Sequence, residues 1–204
     1  MITIHHLNQS RSKRVIWLLE ELQMPYALVN HQRDPLTHLA PKSLQLIHPL
    51  AKAPILVDGE ISLCESGAIM EYIINQGSSH QLRPEINTAQ YYQYVQWSHF
   101  AEGSLALPVI SSLLLQMEPR QRDGNAPLDN YIAKEIALDF SYIDDTLGKQ
   151  AYFAGEAFSA ADIMMTIMLE IADQLKLLHN NNNIKNYLAS IQQRQAYKIA
   201  ASHG

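Results

Sequence analysis

The sequence of 204 residues predicts an α/β domain followed by an all-α helical bundle domain. The chain opens with a strand pattern, a helical pattern and a second strand pattern. An Asp-Gly dipeptide later separates two short apolar runs, and beyond residue 88 only helical periodicity appears. A chain of this length can form two small domains. We expect them at residues 1–77 and 88–204, joined by a polar linker at 78–87.

The first domain begins with a strand, a helix and a strand. Residues 2–7 alternate between apolar and polar side chains, which is typical of a strand. Apolar residues then recur at i, i+3, i+4 and i+7 between Val15 and Leu22, which predicts an amphipathic helix that Pro25 stops. Residues 26–29 form a second apolar run. The two strands are expected to pair in parallel through a right-handed crossover.

The rest of this domain is predicted to add a short helix, a hairpin and a longer helix. Residues 42–46 favour the short helix. Asp58-Gly59 between the apolar runs 54–57 and 61–64 is the strongest short-range hairpin signal. A helix follows Ser66. The resulting order, βαβαββα, is that of a thioredoxin-like domain.

The second domain is predicted to contain helices alone. Helical periodicity covers residues 88–117, 128–147, 160–178 and 183–193, and breaks separate these segments.

Composition limits the classes of function. The formal net charge is −5, with 15 basic and 20 acidic residues that are scattered along the chain. A nucleic-acid or anionic membrane surface is therefore not expected. We find no leader pattern and no run approaching the length that spans a bilayer. A single cysteine, Cys64, points to a reducing compartment, so we expect a cytoplasmic protein.

Metal and dithiol chemistry are not expected. His5 and His6 are adjacent in a strand, so their side chains point to opposite faces and cannot share an ion. No Cys-x-x-Cys follows the first strand, and Ser10 stands where dithiol reductases carry their nucleophilic cysteine.

Ala53-Pro54 is the first candidate binding feature. Proline is tolerated at the start of a strand, and a cis bond there would present the backbone N–H and C=O of Ala53 to an added strand. Taken alone, the dipeptide is better explained as an ordinary trans bond, since cis accounts for about 5% of X–Pro bonds.

Glu65-Ser66 is the second candidate. Ser66 is placed at a helix N-cap, where free N–H groups and the helix dipole suit a carboxylate. Glu65 is placed to bind an ammonium group beside it. Together they would bind the α-amino-acid end of a ligand, although capping alone also explains the pair.

Ser10 is the third candidate, in the loop before the first helix. A thiol there would feel the helix dipole, and a serine hydroxyl could donate a hydrogen bond to the thiolate. Lowering a thiol pKa by two units needs about 2.7 kcal/mol, which one charge-assisted hydrogen bond of roughly 1.5–3 kcal/mol plus a dipole contribution can supply. We expect Ser12 to cap the helix and leave Ser10 free.

Three motifs in order resemble the cytosolic glutathione transferases, in particular their serine-type bacterial and fungal members. These are Ser-x-x-x-Arg at residues 10–14, His-Pro-Leu-Ala-Lys-Ala-Pro at 48–54 and Glu-Ser-Gly-Ala-Ile at 65–69. Phe158-Ser159-Ala160-Ala161-Asp162 matches the family's capping box and hydrophobic staple. The chain departs from the commonest pattern in having His48 for Asn and Ala51 for Gly.

The resemblance implies roles for particular residues. Pro54 would be the cis proline, and Ala53 would pair with the cysteinyl backbone of glutathione, the co-substrate. Glu65 and Ser66 would hold its γ-glutamyl end, and Ser10 would face the sulfur, with Asn8 and Ser12 as alternatives in the same loop. The candidates for binding the glycine carboxylate are His38, Lys42 and Lys52.

Three functions remain open. The first is a transferase that adds the glutathione sulfur to a hydrophobic electrophile. The second is glutathione-dependent peroxide or disulfide reduction, and the third is a non-catalytic binding module. The resemblance also implies a homodimer. An electrophile pocket between the domains is predicted to use the side chains of His99, Phe100, Ser104 and Leu107.

Overall fold

The structure is a computed structural model that describes residues 1–77, 82–117 and 126–204. The chain forms two compact units. The first unit comprises Met1–Leu82 with Gln192–Gly204, and the second comprises Arg83–Ile191. The division predicted from sequence grouped residues 192–204 with the helices instead. Residues 78–81 of the predicted linker lie outside the described residues.

The first unit contains a four-stranded mixed sheet with the strand order β2-β1-β3-β4. Its elements are β1 (Thr3–Leu7), α1 (Ser12–Glu21), β2 (Ala27–His31), a 3-10 helix (Lys42–Leu46), β3 (Ile55–Asp58), β4 (Ile61–Cys64), α2 (Ser66–Gln76) and α8 (Gln195–Ala201). β1 pairs in parallel with β2 and antiparallel with β3, which forms the predicted hairpin with β4. The predicted order βαβαββα is confirmed, with a 3-10 helix as its second helical element.

The two faces of this sheet are covered differently. α1 contacts β1 and α2, and α2 contacts β4, which buries one face. On the other face Leu44 of the 3-10 helix packs with Leu7 and Ile55, and all three side chains are buried. The 3-10 helix therefore closes the sheet beside the start of β3.

α8 completes the first unit by packing on α1. The rings of Tyr197 and Trp17 meet edge to face with their centroids 5.1 Å apart. The Nζ atom of Lys13 lies 4.2 Å from the centroid of the Tyr197 ring. The sequence pattern ended its last helix at residue 193 and did not identify α8, because seven residues are too few to show a clear helical period.

The second unit is helical in the residues that the structure describes. Its elements are α3 (Ala89–Phe100), a π-helical turn (Ala101–Leu105), α4 (Ala106–Met117), α5 (Pro127–Leu147), α6 (Ala160–Gln174) and α7 (Asn182–Ile191). The all-α prediction is confirmed. The predicted helix 160–178 ends earlier, at Gln174, where Leu175 serves as the C-cap and Lys176 takes a φ of 58°.

The core of the second unit is centred on aromatic rings and one buried carboxylate. Trp97 is buried between Tyr142, stacked at a centroid distance of 4.9 Å, and Phe153 at 4.8 Å. Asp162 has no exposed surface and accepts hydrogen bonds from the backbone N–H groups of Phe153 and Ser159 and from the hydroxyl groups of Ser159 and Tyr187. The predicted capping box at the start of α6 is present.

Helix 89–117 has the length and composition of a membrane span, whereas no run approaching that length was expected from the sequence. Its best 18-residue window has a mean hydropathy of 1.4, and 33% of that window is buried. Core helices of soluble proteins meet the same criterion, so the observation is weak support for a span.

Candidate glutathione site

The three candidate binding features of the sequence lie at one end of the sheet. β1 ends at Leu7 and is followed by the loop with Ser10. The register pairs His5 of β1 with Ile55 at the start of β3, and Ile55 with Cys64 at the end of β4. Because β1 runs antiparallel to β3, and β3 antiparallel to β4, the Ser10 loop, Pro54 and Glu65 all lie at the same end of the strands.

The Ala53–Pro54 peptide bond is cis, as the resemblance implied. Pro54 is buried, while Ala53 is half-buried and precedes β3, outside the strand ladder. No loop hydrogen bond among the described residues engages the Ala53 backbone. Its N–H and C=O groups are thus placed to pair with an extended peptide.

The turn before this bond explains how His48 substitutes for asparagine. The N–H of Leu50 donates to His48 Nδ1 at 3.3 Å, and the N–H of Ala51 donates to the His48 carbonyl at 2.9 Å. The ring nitrogen thus does what an asparagine side-chain oxygen does in such turns. Ala51 has a φ of 50°, a conformation that favours glycine.

Glu65, and not Ser66, is the N-cap of α2, so the sequence prediction was one residue late. Glu65 is exposed and has a φ of 75° and a ψ of 115°. Such a backbone conformation is costly for a residue other than glycine, and such residues cluster at ligand-binding sites. The conformation turns the chain sharply from β4 into the helix.

The start of α2 offers unpaired backbone donors. The carbonyl of Glu65 accepts the first helical bond, from Ile69 at 3.0 Å, so the N–H groups of Ser66 and Gly67 precede the helical ladder. An added Cβ at Gly67 would meet nothing within 4 Å, so the space beside this turn is open. A carboxylate fits these donors and the positive end of the helix.

The loop between β1 and α1 separates the three polar candidates. Asn8 Oδ1 accepts from the N–H of Arg33 at 2.8 Å, and this bond ties the loop to the chain after β2. Ser12 has no exposed surface. Ser10 is half-buried, which leaves it the serine of this loop with an exposed part.

Neither serine behaves as the sequence predicted. Arg11, not Ser12, is the N-cap of α1, and the side chain of Ser12 points into the unit, where its Oγ lies 2.7 Å from His6 Nδ1. Ser10 is not free, since its Oγ lies 2.6 Å from Ser12 Oγ and accepts from the N–H of Ser12 at 3.2 Å. No sequence pattern predicts these contacts, because they depend on the fold that brings His6 next to Ser12.

The basic candidates for a glycine carboxylate are all exposed. Lys42 begins the 3-10 helix, and Lys52 immediately precedes Ala53. His38 has a φ of 56°, and its carbonyl accepts from Arg33 Nη1 at 2.9 Å. Lys52 is therefore the nearest of the three to the cis bond along the chain.

The electrophile-pocket candidates lie around the π-helical turn of the second unit. His99, Ser104 and Leu107 are exposed. Phe100 differs, since its ring packs against Trp97 at 5.1 Å and Tyr142 at 5.9 Å within the aromatic core. π-helical turns recur at functional sites.

Among the described residues, no group of three or more histidine, cysteine, aspartate or glutamate side chains is arranged to hold a metal ion. His5 lies against His31, with Nδ1 and Nε2 at 3.0 Å, whereas His6 lies in the serine network.

The four-stranded sheet, the Ala53-Pro54 dipeptide before its third strand and the Glu-Ser pair at the following helix start fit the glutathione-binding class of protein that the sequence resembles. The family models agree with this class. The model of the glutathione S-transferase N-terminal domain matches residues 1–75, and the model of the glutathione S-transferase C-terminal domain matches residues 105–194.

Curated relatives and solved structures agree. The chain is 34% identical to glutathione S-transferase 3 of Schizosaccharomyces pombe, over 98% of this chain and 87% of that protein. It is 28% identical to glutathione S-transferase 1 of Saccharomyces cerevisiae, over 97% and 92%. A glutathione S-transferase structure from Actinobacillus pleuropneumoniae superposes with a TM-score of 0.88 at 29% identity, over 99% of this chain and 92% of that one.

A glutathione transferase family member from Pseudomonas fluorescens, solved with two glutathione molecules bound, has a TM-score of 0.82 at 21% identity, over 98% of this chain and 91% of that one. At that identity the likeness shows the fold. The protein belongs to the glutathione S-transferase family, and the family and fold expected from the sequence are confirmed.

Proposed function

We propose that this chain is a glutathione transferase that ionises the thiol of glutathione and transfers its sulfur to a hydrophobic electrophile. The observation that carries the proposal is that the Ser10 loop, Ala53-Pro54 and the start of α2 lie at the same end of the sheet. The named relatives favour transferase activity over the two alternatives, peroxide or disulfide reduction and a non-catalytic module.

Glutathione binds as an added strand. The backbone N–H and C=O of Ala53 pair with its cysteinyl residue, because they lie just before β3 and outside the ladder. The peptide thus lies across the end of the sheet where Ser10 and Glu65 lie.

The γ-glutamyl end is bound at the start of α2. Its carboxylate accepts from the N–H groups of Ser66 and Gly67 and from the Ser66 hydroxyl, and the helix dipole adds to the attraction. Its ammonium group binds the carboxylate of Glu65, an exposed residue at the N-cap of α2. Both charges of the amino-acid group are then paired.

The glycine carboxylate at the other end takes a basic partner. Lys52, adjacent to Ala53, is the partner we propose first, with Lys42 and His38 as the alternatives. All three are exposed, so the contact is screened by salt and contributes modestly to affinity.

Ser10 acts on the sulfur. It is half-buried at the start of α1, whereas Ser12 is enclosed and the Asn8 oxygen is already engaged. A hydrogen bond from Ser10 to the thiolate and the dipole of α1 both favour ionisation. The thiolate then attacks the electrophile and forms a thioether, while the leaving group departs with the electron pair of the bond that breaks.

The electrophile is placed against the exposed surface around the π-helical turn. His99, Ser104 and Leu107 are exposed there and are the proposed contacts, while Phe100 supports them from the aromatic core.

We also propose a cytoplasmic homodimer. The single cysteine suits a reducing compartment. The proposed interface uses exposed apolar side chains on three helices of the second unit: Tyr92, Leu114, Met117, Leu128, Tyr131 and Leu138. Sedimentation of the purified chain tests the dimer.

The experiment that tests the transferase proposal measures two quantities in wild type, Ser10→Ala and Ser62→Ala. These are the pKa of bound glutathione, from the ultraviolet absorbance of its thiolate, and the rate of conjugation with chlorodinitrobenzene. Ser62 is an exposed serine on β4 and serves as the matched control.

Wild type and Ser62→Ala are expected to share a lowered thiol pKa and rapid conjugation. Ser10→Ala is expected to raise the thiol pKa by roughly one to two units, the equivalent of one charge-assisted hydrogen bond. Rapid disulfide or peroxide turnover that survives Ser10→Ala while conjugation is absent from wild type would favour the redox alternative.

A further inference from the structure

A chain of hydrogen bonds runs from the Ser10 hydroxyl into the first unit. Ser10 Oγ lies 2.6 Å from Ser12 Oγ, which lies 2.7 Å from His6 Nδ1. The Nε2 atom of His6 lies 3.0 Å from the carbonyl oxygen of His203, beyond the end of α8. The chain thus joins the candidate site to the segment that follows α8.

The direction of every hydrogen in this chain follows from its inner end. A carbonyl oxygen only accepts, so His6 Nε2 carries a hydrogen and donates it to His203. In a neutral imidazole the other nitrogen then accepts, so Ser12 donates to His6 Nδ1. The carbonyl of Leu7 competes for the Ser12 hydrogen at 3.3 Å and is the more distant acceptor.

The direction of the Ser12 hydrogen also determines the direction of the bond between Ser10 and Ser12. Because the Ser12 hydrogen is directed to His6, the bond between the two serines must be donated by Ser10. Ser10 also accepts from the N–H of Ser12. With His6 neutral, Ser10 therefore offers a lone pair, not a hydrogen, to a ligand at this end of the sheet.

A sulfur anion requires the opposite direction. When His6 gains a proton at Nδ1, it donates to Ser12, whose hydroxyl then rotates to donate to Ser10. The Ser10 hydroxyl in turn rotates its hydrogen toward the ligand. Both serines keep their own O–H bonds, the added proton comes from solvent or from the ionising thiol, and the sulfur keeps its electron pair.

We propose that His6 is a positioning residue that sets, through Ser12, whether Ser10 accepts or donates at the glutathione sulfur. The inference rests on the proposed function of Ser10. By linkage, a thiolate beside Ser10 favours protonated His6, and protonated His6 favours the thiolate to the same extent.

The surroundings of His6 favour its neutral form when no ligand is bound. Burial lowers the pKa of His6, the hydrogen bond to the His203 carbonyl acts in the opposite sense, and the charges of the His203 and His31 rings lower it further. The His203 ring lies 6.1 Å from that of His6. The outward-donating state of Ser10 is thus the minor one until an anion selects it.

The experiment is a titration of the histidine rings by NMR with two ligands. Glutathione supplies a sulfur that ionises, and S-methylglutathione supplies the same peptide with a sulfur that cannot. The resonance of His6 is assigned from its loss in His6→Asn. His5 is the internal control, because its ring contacts His31 and not the serines.

The pKa of His6 is expected to be higher with glutathione than with S-methylglutathione, by on the order of one unit. The pKa of His5 is expected to be the same with both. The His6 difference is expected to vanish in Ser12→Ala, which interrupts the chain, and in Ser10→Ala. Ser10→Ala alters a half-buried side chain and keeps the test available if Ser12→Ala fails to fold.

Equal His6 pKa values with the two ligands would overturn the inference and leave glutathione binding intact. A difference that persists in both serine variants would also overturn it, since the charges would then interact through space. Failure of glutathione to bind would instead overturn the proposed function, and this inference with it.

Discussion

The guanidinium group of Arg194 donates two hydrogen bonds to the carboxylate of Glu21, from Nε to Oε1 at 2.6 Å and from Nη2 to Oε2 at 2.7 Å. The pair joins the end of α1 to the residue before α8. Trp17 Nε1 donates to the same Oε1 at 2.9 Å. α8 is therefore held to the first unit by a two-bond pair as well as by the edge-to-face contact of Tyr197 and Trp17.

We expect Arg194→Lys to destabilise the first unit by about 1–2 kcal/mol, because an ammonium group cannot reproduce the paired geometry and the side chains are largely enclosed. Urea unfolding monitored by tryptophan fluorescence measures the loss. Lys185→Arg, an exchange of the same two residue types elsewhere, is the control. An unchanged midpoint in Arg194→Lys would show that packing alone holds α8.

Ala51 has a left-handed backbone, with a φ of 50°, in the turn before the cis bond. A Cβ in that region costs the folded state roughly 1–2 kcal/mol. Replacing alanine by glycine removes this cost, but the greater conformational freedom of glycine in the unfolded chain offsets part of the gain. Ala51→Gly is expected to raise the free energy of unfolding by about 0.5 kcal/mol. Ala53→Gly, where φ is not positive, should lower it, and equal effects at the two positions would contradict the account.

Asp139 of α5 is 8% exposed, and its Oδ2 has no hydrogen-bond partner among the described residues. Burial first, and then the charge of Glu135, raise its pKa from 3.8 to about 6. Between these values the unfolded chain has lost the proton and the folded chain retains it. Stability therefore falls as pH rises through this window.

We expect Asp139→Asn to gain stability relative to wild type as pH is raised through the window between 3.8 and about 6. Denaturant unfolding at a series of pH values measures the gain. Asp145→Asn, at an exposed position of the same helix, should follow the wild-type profile. A residual slope will remain in Asp139→Asn, since burial also raises the pKa of Asp162 to about 6.

Asp162 accepts four hydrogen bonds in the core of the second unit, two of them from backbone N–H groups. Asparagine has fewer acceptor sites, so Asp162→Asn leaves one or two buried donors unpaired. A loss of about 2–4 kcal/mol is expected at roughly 1–3 per donor. Asp173→Asn on the exposed side of α6 is the control, and an equal, small loss in both would refute this role.

The fold was predictable because its signals are local. The Asp58-Gly59 hairpin, the helical period from Val15 to Leu22 and the long helices of the second unit depend on side chains a few residues apart. α8 was not predicted from the sequence, because it is short and because its partner α1 is distant in the sequence.

The site was predictable in part for the same reason. Motif order placed Ala53-Pro54 and Glu65-Ser66, and the structure adds the cis bond and the backbone of Glu65. The partners of Ser10 and Ser12 could not be predicted, because Ser12 meets His6 through the turn of the loop and His6 meets His203 across the whole chain. Such contacts depend on tertiary packing and leave no periodic trace.

The central claim is that Glu65 and the start of α2 bind the γ-glutamyl end of glutathione. A calorimetric titration with glutathione of wild type, Glu65→Gln and Glu60→Gln tests it most directly. Glu60 matches Glu65 in charge and exposure, and it lies at the opposite end of β4.

We expect wild type and Glu60→Gln to bind glutathione equally and Glu65→Gln to bind it about ten- to hundredfold more weakly, the loss of one charged hydrogen bond. Equal affinities in all three proteins, or no binding by wild type, would contradict the account.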